Sequence, residues 1–391
     1  MQQLPKRLLS IDVLRAVTMF LMIFVNDVSD VKNIPEWIDH AKASQDALGF
    51  ADTIFPAFLF IVGISLPFAI NARIKKGDSA KGIVFYILSR SLALLVMGFY
   101  QVNLEEYNSL FSILPKAVWA ILVTIAFFMI WLDYPETFAK TKKHIIQIAG
   151  VLILIVMAIL YKTSGENIIT GMHPSWWGIL GIIGWSYLVC ALIFYFSKGK
   201  GLVLALCWMI FIAFNTSIHF AHVKLQLPVV GDGSSVALVL GGVLVSQLFA
   251  YLVKAGKSSA LWLWLNTIGI STLLIGLFIR PYTEGISKIH STPSWIVICI
   301  GITTLAFEFF IYLIDVKGKK DWFAFIAPAG TSTLTCYLMP YFQVYLLKLF
   351  HVKYPVVFYN GIPGILRSVF ISFLLIWLAG LMDKRHLRLK I

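Results

Sequence analysis

The stretch VNDVSDVKNIPEWIDHAKASQDALGFADTIFPAF, residues 25–58, sets Asn26, Asp27, Asp30, Asp39, His40 and Asp52 between two strongly apolar runs. An unperturbed imidazole titrates near pH 6.5, so a neutral His40 among carboxylates has the makings of a general base at physiological pH. Such a base needs a partner that fixes its tautomer, and Asp39 and Asp52 both stand close enough along the chain to serve. Asp52 has a competing use: Asp is a favoured helix cap, and an apolar run beginning TIFP follows it.

Six more ionisable residues, Asp12, Arg15, Arg90, Glu308, Lys348 and Arg367, fall inside apolar runs. Each costs at least ~2.5 kcal/mol at the centre of a membrane span, so each needs a partner, a water-filled cavity or a task. Asp12 and Arg15 stand at i and i+3 on a helix, the spacing of a structural ion pair. From Arg15 to Asn26 the helix returns to nearly the same azimuth, roughly 16 Å further along its axis, whereas Asp27 points elsewhere. Asp12, Arg15 and Asn26 therefore form one polar seam, suited to the wall of a cavity and ill suited to lipid.

His219 and His222 also stand at i and i+3, but two imidazoles with no carboxylate near them in sequence do not define a metal site, and none is expected. They read as surface residues, as do His173 and His351. Cys190, Cys207, Cys299 and Cys336 lie in apolar runs without metal-ligand spacing and read as packing residues.

The elements that position these residues follow from hydropathy. Of 391 residues 59% are hydrophobic and 13% charged, with a mean hydropathy of +0.85, far from a soluble domain. Twelve runs are long enough to span a bilayer: 10–28, 53–73, 82–101, 114–132, 144–161, 176–196, 201–218, 235–254, 260–279, 294–314, 330–350 and 363–382. The fold class is thus all-α, a polytopic membrane bundle of about 12 helices. The net charge of +13 is not a nucleic-acid footprint, because Lys and Arg are divided twenty to eight between alternate connecting segments. That bias places both termini, with Lys6 and Arg7 at the start, in the cytoplasm and residues 29–52 on the outer face. The first apolar run keeps Asp12 and Arg15 and lacks a small-residue cleavage site, so it is read as a retained helix. The basic segment DKRHLRLKI, 383–391, is expected at anionic lipid headgroups.

A wider pattern appears in RLLSIDVLRAVTMFLMIFVN and HAKASQDALGFADTIFPAFLFIVG, then SRSLALLVMGFYQVN, GDGSSVALVLGGVL, STPSWIVICIGI, YLIDVKGKKDW and GTSTLTCYL. In order and spacing these segments resemble the heparan-alpha-glucosaminide N-acetyltransferase family and its bacterial relatives, within the transmembrane acyltransferases. The resemblance covers nearly the whole chain. It departs from the family pattern at Ala16, at Lys116 and at Ser332, and in about two additional residues between His40 and Asp52.

The resemblance implies one transmembrane acyltransferase-like domain over 1–391, with core helices in 10–161 and 235–382 and an inserted hairpin near 176–218. It implies an integral-membrane acetyltransferase that moves an acetyl group from cytosolic acetyl-CoA, as co-substrate, to an amino sugar or related glycan at the outer face. His40 and Asn26 take the positions of the family's histidine and asparagine. In that chemistry His40 is the base, Asn26 a hydrogen-bond donor to the oxyanion or an orienting group, and Asp52 the orienter or cap. Arg15, Arg90 and Lys116 are the cations expected to hold the anionic carrier. The expected setting is a bacterial inner membrane with the first loop periplasmic, and a homodimer is the prior for assembly. A polytopic transporter of amino sugars is the alternative, since twelve helices with both ends inside also suit that class. The loaded first loop favours the enzyme.

Overall fold

The computed structural model describes residues 8–165 and 168–391; Lys6 and Arg7, counted in the charge bias, lie outside them. The helices are α1 (Leu9–Val28), α2 (Ala51–Lys75), α3 (Ala80–Glu105), α4 (Lys116–Trp131), α5 (Lys140–Leu160), α6 (Gly178–Phe196) and α7 (Gly201–Phe220). They continue with α8 (Ser234–Lys254), α9 (Ser258–Ile279), α10 (Pro293–Phe310), α11 (Ala327–Thr331), α12 (Thr333–Leu349) and α13 (Gly361–Lys384). Apart from short helical turns and one antiparallel pair of three-residue strands, β1 (Thr163–Gly165) and β2 (Ile168–Thr170), the described chain is helix and connection.

All twelve apolar runs are helical. Among the described residues, ten helices are long and apolar enough to cross a membrane. The other two runs form α4, of 16 residues, and the last stretch of 330–350, which the structure breaks at Ser332. Five-residue α11 precedes that break and 17-residue α12 follows it. The protein is a polytopic helical bundle.

Connections alternate between two ends. The loop end carries residues 29–50, 106–115, 161–165, 168–177, 221–233, 280–292 and 350–360; the tail end carries the start of α1 and residues 385–391. Cross-links confirm the alternation: Lys32 bridges to Asn360 at the loop end, and Leu132 to Leu389 at the tail end. Helices α2 and α8, α3 and α6, α4 and α5, and α9 and α10 are the most closely packed partners. Burial separates centre from rim. The spans of α8 and α10 are 67% and 61% buried inside the protein, whereas α5, α7 and α9 reach only 17–22% and offer their apolar faces to lipid.

Asp315, Arg367 and Glu308 have found partners within the bundle. Leu8, at the cap position of α1, has no side-chain acceptor, and Asp315 fills that need by accepting from the Leu9 and Ser10 N–H groups at 3.0 and 3.3 Å. Arg367 of α13 donates to Asp27 Oδ2 at 2.9 Å and lies 5.3 and 5.0 Å from the ring centres of Tyr354 and Tyr359. Glu308 accepts from Asn266 of α9.

The segment 383–391 also has partners within the protein. Arg388 pairs with Asp133 at 2.9 Å and with Asp383 at 3.3 Å, Lys390 reaches Asp133 at 3.1 Å, and Leu389 is buried with its N–H on Thr335 Oγ1. The nearby acids hold these cations against the end of α4, so Arg388 and Lys390 serve the protein's own carboxylates first.

Candidate active site

The N-terminal end of α2 is built around one carboxylate. Asp52 is 1% exposed and accepts three hydrogen bonds: from His40 Nδ1 at 2.6 Å, from the Ala41 N–H at 2.9 Å and from the Gly49 N–H at 3.1 Å. Of the two uses weighed for Asp52, the contact with the imidazole is present and the cap is not: Asp52 lies in the first turn of α2, whose cap position is Phe50 with no side-chain cap hydrogen bond, and its second oxygen takes the loop N–H groups of Ala41 and Gly49. A carboxylate only accepts, so Nδ1 carries a proton, and in the neutral imidazole Nε2 is the free acceptor. Nε2 has no partner among the described residues, and the side chain is 35% exposed. Asp39 takes a different part: its Oδ1 accepts the His40 backbone N–H at 2.7 Å and shapes the loop without touching the ring.

Proline and glycine explain why the loop closes this way. Pro56 has no N–H, so the Asp52 carbonyl lacks its intrahelical donor, and the Trp295 indole N–H of α10 supplies one at 3.1 Å. At Gly49 a Cβ would meet the Asp39 carbonyl oxygen at 1.9 Å, so only glycine lets the two backbones approach this closely.

A second connection, 280–292, straps this loop. Arg280 Nε grips both carboxylate oxygens of Asp46 at 2.8 and 2.9 Å, the Ile286 N–H donates to Asp46 Oδ1 at 2.6 Å, and His290 Nε2 reaches the Ala43 carbonyl at 3.2 Å. The strap is itself clamped to α7, because Glu284 takes His219 Nδ1 at 2.6 Å and His222 Nδ1 at 2.9 Å. A carboxylate thus joins the two histidines after all, by direct hydrogen bonds. Among the described residues no group of three His, Cys, Asp or Glu side chains is arranged to hold a metal ion. Hydrogen bonds from His222 and His219 hold the Glu284 carboxyl below its usual range. Burial pushes the Asp46 carboxyl up, but the hydrogen bonds from Arg280 and Ile286 outweigh it, and the net direction is down.

The same strap brings Lys288 to within 3.3 Å of His40 Nδ1. Burial pulls its ammonium below the usual lysine range, and the Asp52 charge acts in the opposite sense. Sequence reasoning passed over Lys288, Trp295, Asp46 and Arg280. The available signal was the crowding of Arg280, Glu284, Lys288 and His290 into one short connection, which on its face reads as a solvated turn.

A cavity of about 590 Å³ opens nearer the tail end. Arg15, Arg90, Asp12, Ser65 and Lys390 are among its polar lining, and apolar residues of α1, α2, α3, α6, α12 and the tail wall much of the rest. Arg15 is fixed there by Asp12 at 3.2 Å, the Gly330 carbonyl at 3.0 Å and Ser65 Oγ at 2.6 Å. Arg90 is less committed, with Tyr86 OH at 3.0 Å, the Tyr187 ring at 5.1 Å and a buried Nε that has no partner among the described residues.

The structure therefore gathers the expected residues into two sets and leaves two apart. His40 and Asp52 meet at the loop end; Asp12, Arg15 and Arg90 meet in the cavity. Lys116 is in neither, for its Nζ donates to the Glu105 carbonyl at 3.1 Å among the loop-end connections. Asn26 is exposed, with no side-chain hydrogen bond among the described residues. The cavity lining stops on α1 at Met22 and on α2 at Phe58, so the polar seam lines it only through Asp12 and Arg15. From Phe58 to Asp52 is about 9 Å along α2 at 1.5 Å per residue.

Fold and site together describe a helical membrane bundle with an oriented imidazole at one end and a cation-lined cavity towards the other. Residues 7–200 match a family described as Domain of unknown function (DUF5009). Over 100 residues, 26% of this chain, the sequence is 33% identical to the human heparan-alpha-glucosaminide N-acetyltransferase. That stretch is 14% of the human protein's length, and the similarity supports a distant relationship to an N-acetyltransferase.

Proposed function

We propose that the protein is an integral-membrane acyltransferase. It transfers an acetyl group from acetyl-CoA, entering from the tail end, to an amino sugar or related glycan at the loop end. The observation that carries this reading is the placing of two complementary sites along the α1–α2 hairpin: the cavity that Arg15 of α1 lines together with Arg90 of α3, and the His40–Asp52 pair of the loop end. The cavity lies in the range of about 300–1,000 Å³ usual for small-molecule sites. Its guanidinium groups suit the phosphates of a nucleotide, and its apolar walls suit a pantetheine arm. Arg90, with an uncommitted Nε, is the cation best placed to accept a phosphate.

His40 Nε2 is the base. With Nδ1–H held by Asp52, the imidazole takes a proton from the acceptor amine or hydroxyl as that group attacks the thioester carbonyl, and Asp52 stabilises the imidazolium that forms. The distant similarity to an N-acetyltransferase agrees with this chemistry and leaves the acceptor to be found.

The test is purified protein in proteoliposomes with acetyl-CoA and a panel of amino sugars, read by mass spectrometry of the acceptors. Acetylated product that disappears in His40→Ala, with thermal stability retained, is the expected result. Sugar accumulation in the vesicles with no need for acetyl-CoA would instead identify a transporter and overturn the reading.

A further inference from the structure

We propose that Lys288 is a catalytic residue of this site, the donor that holds the oxyanion formed at the acyl carbonyl; the assignment rests on the acyltransferase reading above. The argument begins with a conflict over one nitrogen. Asp52 Oδ1 lies 2.6 Å from His40 Nδ1 and Lys288 Nζ lies 3.3 Å from the same atom. A carboxylate oxygen that close requires the proton to sit on Nδ1, and an N–H cannot accept from an ammonium. The Lys288 contact with His40 is therefore not a hydrogen bond, and no carboxylate lies within 4.0 Å of Nζ among the described residues. Lys288 is a largely buried ammonium with its donors uncommitted, beside the base and held there by a backbone strapped to the first loop.

Burying a cation without an acceptor is costly, and a surface-seeking lysine would extend outwards from so short a connection. The strap prevents that. At Gly285, which has a φ of +76°, a Cβ would meet Asp46 Cγ at 2.5 Å, so the chain is pressed onto the first loop three residues before Lys288. The Thr292 N–H bonds the Ser287 carbonyl and the Ser291 N–H the Lys288 carbonyl, which closes the turn around the lysine.

The chemistry balances with these groups alone. The acceptor nitrogen or oxygen forms a bond to the carbonyl carbon and gives its proton to Nε2, and the carbonyl π pair moves to oxygen as an oxyanion that Lys288 stabilises. The pair returns to re-form C=O, the C–S bond breaks, and the CoA thiolate leaves with the proton from Nε2. If Nε2 instead attacks the thioester first, the same oxygen bears the same charge and Lys288 has the same task.

The experiment compares wild type, Lys288→Met and Lys288→Arg in proteoliposomes with acetyl-CoA and an accepted amino sugar, recording kcat, KM for acetyl-CoA, the pH profile and the thermal midpoint. Lys288→Met is expected to lose on the order of 10²–10³ in kcat, as removal of an oxyanion donor does, with KM and thermal midpoint little changed. The titratable groups within electrostatic reach of Lys288 are His40, Asp52 and the Cys299 thiol of α10. Wild-type kcat should decline as rising pH removes the ammonium proton, and Lys288→Arg, whose guanidinium stays charged, should lack that decline even if Lys288→Met fails to fold. A kcat within about threefold of wild type in Lys288→Met, or an unchanged alkaline limb in Lys288→Arg, overturns the assignment while acetylation by wild type leaves the acyltransferase reading standing. Absence of acetyl transfer by wild type removes both.

Discussion

Arg367 and Asp27 form an ion pair at 2.9 Å between α13 and the end of α1, with side chains 6% and 17% exposed. Ser368 Oγ adds a bond to the same carboxylate oxygen at 2.6 Å. Removing one member of such a pair leaves the other desolvated without compensation, a cost of about 3–5 kcal/mol. Arg367→Met should therefore lower the thermal midpoint in detergent markedly, with Asp27→Asn/Arg367→Met less affected than the single variant. Equal midpoints for wild type and Arg367→Met would remove the pair as a structural element.

Asp52→Asn tests the orienting role separately from the fold. The amide oxygen can still accept from the Ala41 or Gly49 N–H groups, but the NH₂ turned towards Nδ1 favours the other tautomer and puts the proton on Nε2. By analogy with the loss of the buried Asp in serine-protease triads, kcat should fall by about 10⁴ with the protein still folded. A fall of less than about tenfold would mean that Asp52 acts only as a backbone anchor.

Arg90 and Lys116 are expected to behave differently. Arg90 lines the cavity and Lys116 is held at the Glu105 carbonyl of the loop end. Arg90→Met should raise the Kd for CoA about tenfold or more, as loss of a charge-assisted hydrogen bond of ~1.5–3 kcal/mol does. Lys116→Met should leave it unchanged. Calorimetric titration of the two variants decides, and the reverse order would move the nucleotide to the loop end.

Acid should loosen the strap. The Asp46 and Glu284 carboxyls are held below their ordinary values of 3.8 and 4.5, so their contribution is fully present above those values and is lost as pH falls through the lower folded-state ones. Hydrogen exchange in residues 280–292 should accelerate below about pH 4 after correction for the intrinsic rate, earlier than in residues 106–115. Parallel behaviour of the two connections would mean that these carboxylates do not set the strap's stability.

The spans were legible because lipid enforces them: an apolar run of sufficient length has few alternatives to a helix. The break at Ser332 was not, since a short helix and its successor share one hydrophobic run. Within the site, His40 and Asp52 could be read together because they stand only twelve positions apart in the chain. Trp295 and Lys288 could not, as nothing local indicates that a connection some 240 residues later folds onto the first. The Pro56 ring held the clearest unread clue, for a helix that lacks an N–H there must find a donor elsewhere for the Asp52 carbonyl.

That dependence has a consequence for biogenesis. The α1–α2 hairpin emerges from the ribosome early, yet the indole of Trp295 and the ammonium of Lys288 arrive only when α10 has been synthesised. A nascent chain arrested before α10 would hold Asp52 with an unmet carbonyl and His40 without Lys288 beside it, so the surroundings of this pair are completed late, once α10 has been inserted.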